Sequence, residues 1–217
     1  MLSQKVLKDA IIFNRSLYDE NQKLILGDEL GKKSKIANEF EFYDGEFIFL
    51  NFFRAHHGHF ITEELGRLWW VLKNGAKNYK FVYNRWQSPQ FSAFERFVLE
   101  LFKLDESKLI AINKPSKFKE LILPDNSFHC EKGTEWHRKT IDFITSQVKP
   151  IKNEALYLSR RKFNKAKSLE FGEEYFEAHY AKKGYKIIYP ETLSPQEQLG
   201  LWGGGDVICC DRRNFAS

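Results

Sequence analysis

Short apolar runs rich in aromatic and β-branched residues alternate along this chain with stretches of helical spacing. That alternation is what most narrows its fold. Glu46–Arg54 (EFIFLNFFR) reads as a buried strand. In His59–Asn74 the apolar residues Ile61, Leu65, Leu68, Trp69 and Leu72 recur at helical spacing, and Asn74-Gly75 ends that helix. Tyr79–Asn84 is a second strand and Ser92–Lys103 a second helix. Lys108–Asn113 and Phe118–Pro124 are further strands, and Thr134–Val148 is a helix closed by Lys149-Pro150. After the short polar stretch Val148–Asn153 the pattern restarts. It gives strand Ala155–Arg160, helix Phe171–Lys183 with Gly184 as its C-cap, strand Tyr185–Pro190, helix Ser194–Trp202 and strand Asp206–Cys210. Strands alternating with helices predict an α/β protein with a mainly parallel sheet. The polar break predicts two domains, 1–150 and 151–217. Residues 1–45 are mixed and polar, with a turn signal at Asp44-Gly45.

Composition removes several classes of protein. A chain of 217 residues with 42% hydrophobic and 29% charged residues is neither disordered nor collagenous. Its 20 Phe, 9 Tyr and 5 Trp supply a sizeable core with rings left over for a pocket. The net charge of +5 permits an anionic ligand, but it is weaker and less clustered than a nucleic-acid binder usually shows. The three cysteines, Cys130, Cys209 and Cys210, have no metal-ligand spacing and fit a reducing compartment. With no signal peptide or long apolar run, the expectation is a cytoplasmic protein, with peripheral membrane association compatible.

Two clusters carry chemistry. Arg54, His56, His57, His59, Glu63, Glu64 and Arg67 sit where a strand ends and a helix begins, the edge at which α/β sheets bind ligands. His59 and Glu63 are four apart and share a helix face, as a general base and its orienting group would. The same residues also read as a cluster that caps a helix. The second cluster is Leu158–Lys167 (LSRRKFNKAK), where Arg160, Arg161, Lys162, Lys165 and Lys167, with Lys152 upstream, crowd a strand end. Arginine forks suit phosphate oxygens, although a solvated basic loop has the same composition. Trp69-Trp70 reads as core, and Gly203-Gly204-Gly205 as the turn between a helix and a strand.

His59–Leu68 (HFITEELGRL) resembles the His-Trp-x-x-Glu-x-x-Pro-Arg-Leu signature of glycosyltransferase family 61, with Phe60 for the tryptophan and Gly66 for the proline. Leu156–Arg161 (LYLSRR) resembles that family's Tyr-x-Ser-Arg-Arg strand end. Gly172–Ile208 is similar to its acidic helix, Gly-aromatic turn and Leu-Ser-x-x-Glu-Gln helix. The resemblance covers about residues 46–208.

The resemblance implies an inverting glycosyltransferase of the GT-B type, with two Rossmann-like domains, active in bacterial capsular or other surface-polysaccharide synthesis. It implies a nucleotide-sugar donor as co-substrate, a glycan or lipid-linked glycan acceptor, no nucleic acid, and no catalytic metal or other cofactor. In that scheme His59 is the base, with Glu63 orienting it or serving instead. Arg54, His57 and Arg67 lie on the acceptor side. Ser159, Arg160, Arg161, Glu197 and Gln198 lie on the donor side. The tail CDRRNFAS departs from the family's Gly-rich continuation, so the expectation is a donor domain cut short after its third strand, for which a frameshift is one explanation. A non-catalytic remnant or glycan-binding module is the alternative, and a basic nucleic-acid-binding module a more distant one.

Overall fold

A computed structural model describes residues 2–27, 39–54, 57–86, 90–129, 132–162 and 172–209. The chain divides into two compact units, Met1–Thr140 and Ile141–Ser217. In the first unit, strands β1 (Gln4–Phe13), β2 (Ser16–Tyr18), β3 (Leu24–Gly27) and β4 (Glu41–Arg54) come first. Helix α1 (His57–Thr62), a 3-10 turn (Glu64–Arg67) and α2 (Leu68–Asn74) lead to β5 (Lys80–Trp86). Helix α3 (Ala93–Leu101), β6 (Leu109–Ala111), β7 (Ser116–Pro124), the two-residue strands β8 (Phe128–His129) and β9 (Lys132–Gly133), and α4 (Glu135–Ser146) follow. The division between units falls inside α4, ahead of the polar stretch around Pro150.

The architecture is α/β, and the main sheet is mixed where a mainly parallel one was expected. Its order is β3-β2-β1-β7-β4-β5-β6. Strands β7, β4, β5 and β6 run parallel, while β1, β2 and β3 add three antiparallel strands on one side. These three strands come from the polar N-terminal region. The first half of β1 is mostly exposed, Val6 included, and only Ala10, Ile11 and Ile12 are buried, so the strand shows no continuous apolar run. The β1–β2 turn is Asn14-Arg15, both at positive φ, which is the hairpin geometry usually marked by a glycine. Asp44-Gly45 is not a turn. It lies inside β4, where Gly45 at φ 120° accommodates a shift in the pairing with β7.

Strand β4 is central to the parallel part. The chain passes from β4 to β5 and β6 on one side, then returns to β7 on the other, which makes the carboxyl ends of β4 and β7 a topological switch point. Aromatic residues fix the pair. Phe118 of β7 is fully buried, stacks on Tyr43 at 4.9 Å and meets Phe47 edge-on at 5.5 Å. Trp69 and Trp70 are buried as their spacing predicts, packed against Trp136 and Tyr79 respectively.

In the second unit β10 (Asn153–Leu158), α5 (Glu173–Lys182), β11 (Lys186–Ile188), a 3-10 turn (Pro190–Thr192), α6 (Pro195–Trp202) and β12 (Gly205–Cys209) alternate as expected. Their sheet is parallel, in the order β11-β10-β12. The chain switches sides at β10, so the end of β10 is a second switch point. Gly203 and Gly204 make the turn into β12, and a Cβ on Gly204 would lie 2.3 Å from the Ile151 carbonyl oxygen.

Phe118→Ala is expected to cost about 3–5 kcal/mol, since it empties the ring cluster joining β4 to β7. Urea unfolding measures this, and an unchanged midpoint would contradict the packing described.

Candidate active site

The buried run of β4 contains one polar residue, Asn51, and the site is built on it. The Asn51 amide donates to the carbonyls of Glu63 (3.3 Å) and Glu64 (3.2 Å), which pins the turn that follows α1. Its Oδ1 accepts from the Phe52 N–H and from Arg67 Nη1 (3.0 Å). Arg67 Nε donates to the Pro124 carbonyl at the end of β7 (2.9 Å), and the guanidinium lies over the Phe49 ring. Arg67 is only 5% exposed. Burial pushes its pKa down to about 10, with Asp125 acting in the opposite sense. Gly66 closes the turn. A Cβ there would fall 1.7 Å from Asn126 Oδ1, so the Asn126 amide packs directly against the glycine.

The expected helix over His59–Asn74 is interrupted at this turn. α1 ends at Thr62 and a 3-10 segment takes Glu64–Arg67 inward, leaving Glu63 outside. His59 and Glu63 nevertheless come together: His59 Nδ1 is 2.8 Å from Glu63 Oε1, with side chains 36% and 44% exposed. Arg54, the last residue of β4, joins them. Its Nη1 is 3.8 Å from Glu63 Oε2 and 3.4 Å from both ring nitrogens of His59. Equal approach to both nitrogens is not a linear hydrogen bond to either. Glu63 therefore orients the His59 ring through Nδ1. His57 opens α1, but its side chain and the whole of His56 lie outside the described residues.

Glu64 is the residue that sequence reasoning placed in the cluster without giving it a role. It is 3% exposed. Its Oε1 accepts the Arg54 N–H at 2.6 Å, and its Oε2 has no hydrogen-bond partner. Burial pushes the carboxyl up to about 8, against the pull of the Arg54 hydrogen bond, so it is protonated at neutral pH. Beside it Arg85 and Glu95 form an enclosed ion pair at 2.9 Å, and Glu95 also completes the Ser92 capping box of α3. Glu64, Arg67, Asn51, Asn84, Asn126 and Arg54 line a cavity of about 210 Å³, and Glu63 reaches its wall. A larger cavity of about 800 Å³ runs along α3 and β6, lined by Tyr83, Phe91, Leu99 and Leu104 among others. Arg96, Glu100, Asp105 and Glu106 also line it, but neither sequence cluster reaches it, and we place the site at the smaller one.

In the second unit Ser159, Arg160 and Arg161 follow β10 at its switch point. The fully buried Ser159 hydroxyl donates to Glu177 Oε1 (2.6 Å), and Arg161 pairs with Glu177 Oε2 (3.1 Å). Burial raises the Glu177 carboxyl, but hydrogen bonds from Ser159, Arg161 and Tyr189 outweigh it and the net shift is downward. The Arg160 N–H donates to Glu173 Oε1, which also accepts from the Tyr157 hydroxyl. Lys162 lies 4.1 Å from the Tyr189 ring centroid. Glu197 and Gln198 stand apart from this network in local roles. Glu197 completes a capping box with Ser194, and Gln198 donates to the Pro190 and Leu193 carbonyls. Lys165, Lys167 and the tail Cys210–Ser217 lie outside the described residues.

Among the described residues no group of three or more His, Cys, Asp or Glu side chains could hold a metal ion, and no helix is long and apolar enough to cross a membrane. Comparison with protein-family models, curated proteins and solved structures returns no match.

Glu64 makes stability depend on pH. Unfolded, its carboxyl titrates near 4.5; folded, near 8. The stability this proton supports is complete below 4.5 and is lost as pH rises towards 8, at about 1.4 kcal/mol per pH unit. Glu64→Gln is expected to flatten that slope in urea unfolding between pH 5 and 8. Parallel wild-type and variant profiles would contradict the assignment.

Proposed function

We propose that the chain is an inverting glycosyltransferase that moves a sugar from a nucleotide-sugar to a glycan acceptor in surface-polysaccharide synthesis. The observation that carries the reading is the His59–Glu63 contact at 2.8 Å, at the switch point of the first unit's sheet. The resemblance of His59–Leu68 and Leu156–Arg161 to glycosyltransferase family 61 supports it. In this reading the architecture is GT-B, with an acceptor side in the first unit and a donor side in the second.

Roles follow from the chemistry of inversion. His59 Nε2 removes the proton from an acceptor hydroxyl as that oxygen attacks the anomeric carbon of the donor. The bond from that carbon to the phosphate oxygen breaks on the opposite face, and its electron pair leaves with the nucleoside diphosphate. Glu63 holds the imidazole and offsets the charge of the imidazolium that forms. The departing negative charge needs cations and backbone amides. Arg160 and Lys162 provide cations, with Ser159 and Arg161 set in place by Glu177. A soluble protein working at the cytoplasmic face of a membrane fits this role.

His59→Ala is expected to lower transfer by about 10²–10⁴-fold while donor affinity stays constant. Unchanged turnover would remove His59 from the mechanism. Arg160→Ala is expected to abolish binding of UDP- or CMP-sugars in a titration. Equal affinity in the variant would move the donor site elsewhere.

A further inference from the structure

Helix α5 is amphipathic in reverse. Its inner face carries Glu173 and Glu177, which accept hydrogen bonds from the Tyr157 hydroxyl, the Arg160 N–H, the Ser159 hydroxyl and Arg161. Tyr180, on the same face, stacks on Tyr157 with ring centroids 4.6 Å apart. The outer face carries Tyr175, 77% exposed, and Phe176, 45% exposed. A surface helix ordinarily turns apolar residues to the core and charged ones to water. Here the carboxylates are committed to the turn after β10, so the two rings point outward. Among the described residues neither ring makes an aromatic or cation contact.

What shares that outer face narrows its partner. At about 100° per residue, Tyr175, Phe176, His179, Lys182 and Lys183 fall within about 120° of the helix circumference. All five are exposed. Glu174, the exposed carboxylate of this helix, lies outside that arc. Lys182 and Lys183 form no ion pair among the described residues. From Tyr175 to Lys182 the helix rises only about 10 Å, so rings and charges act on one footprint of about a Debye length. Two adjacent aromatic rings followed by paired lysines on a convex face suit an anionic lipid surface. The rings enter the headgroup layer while the ammonium groups meet lipid phosphates.

We propose that the outer face of α5 docks the chain on an anionic lipid surface, with Tyr175 and Phe176 inserted and Lys182 and Lys183 paired with headgroups. The same helix sets where the membrane lies. Its first turn holds Tyr175 and Phe176, and Glu173 in that turn accepts the Arg160 N–H. Docking therefore brings the basic turn at the end of β10 beside the headgroups. The surface stands on α5 alone and is independent of sugar transfer.

Co-sedimentation of the whole chain with sucrose-loaded vesicles tests this. Phosphatidylcholine vesicles containing about 30% phosphatidylglycerol are expected to bind it about tenfold or more tightly than phosphatidylcholine alone. Salt at about 0.5 M is expected to remove most of that difference. Tyr175→Ser combined with Phe176→Ser is expected to weaken binding about tenfold or more. Lys182→Ala combined with Lys183→Ala is expected to weaken it about thirtyfold. These are surface substitutions, so both variants are expected to keep the wild-type far-UV spectrum and urea midpoint. No binding to anionic vesicles, equal binding to the two compositions, or variants that bind like the wild type overturns the proposal. Dimerisation lost in the Tyr175/Phe176 variant, with no vesicle binding by the wild type, also overturns it and assigns the face to a second copy of the chain.

Discussion

The first unit depends on a buried cation. Arg67 ties the end of β4, through Asn51, to the end of β7, through the Pro124 carbonyl, and rests on Phe49 beneath. Burying a guanidinium costs several kcal/mol unless its donors are met, and here neutral oxygens meet only some of them. Asn51 then spends its amide on the carbonyls of Glu63 and Glu64. One network therefore links two strands at their switch point, bends the chain into a 3-10 turn, and separates two consecutive glutamates. Glu63 is left beside His59 at the surface, while Glu64 is drawn into the interior.

That separation gives neighbouring carboxyls opposite characters. Glu63 faces solvent and offers its charge to His59 and Arg54. Glu64, enclosed next to the Arg85–Glu95 pair, remains a neutral donor at pH 7. The second unit meets the same topological problem differently. At the end of β10 a single carboxylate, Glu177, gathers Ser159, Arg161 and Tyr189, and its charge is favoured rather than suppressed. The proposed sugar transfer draws on both: His59 at one switch point as the proton acceptor and the basic turn after β10 at the other as the seat of the donor.

Much of this was legible in the residues. Helical spacing placed Trp69 and Trp70 in the core, Asn74-Gly75 ended α2 with Gly75 at φ 79°, and the four-residue interval brought His59 to Glu63. What escaped depends on partners distant in sequence. The antiparallel edge was hidden because β1 is half exposed and its hairpin turn, Asn14-Arg15, lacks the usual glycine. Asp44-Gly45 has the composition of a turn but sits in a bulge, a distinction made only by the pairing with β7. Glu64 looked like its neighbour Glu63, since nothing local records that Asn51 pulls it inside. The one available signal was Asn51 itself, a lone amide in the apolar run EFIFLNFFR. Glu197 and Gln198, expected on the donor side, make hydrogen bonds at the start of α6 and to the turn before it.

The proposed reaction is direct displacement at an anomeric carbon by a hydroxyl that His59 deprotonates. The most direct measurement is the anomeric configuration of the product, read by NMR after the whole chain is incubated with UDP- and CMP-sugars and a glycan acceptor. Inversion relative to the donor is the predicted result. Retention of configuration, or no turnover with any donor, would contradict it.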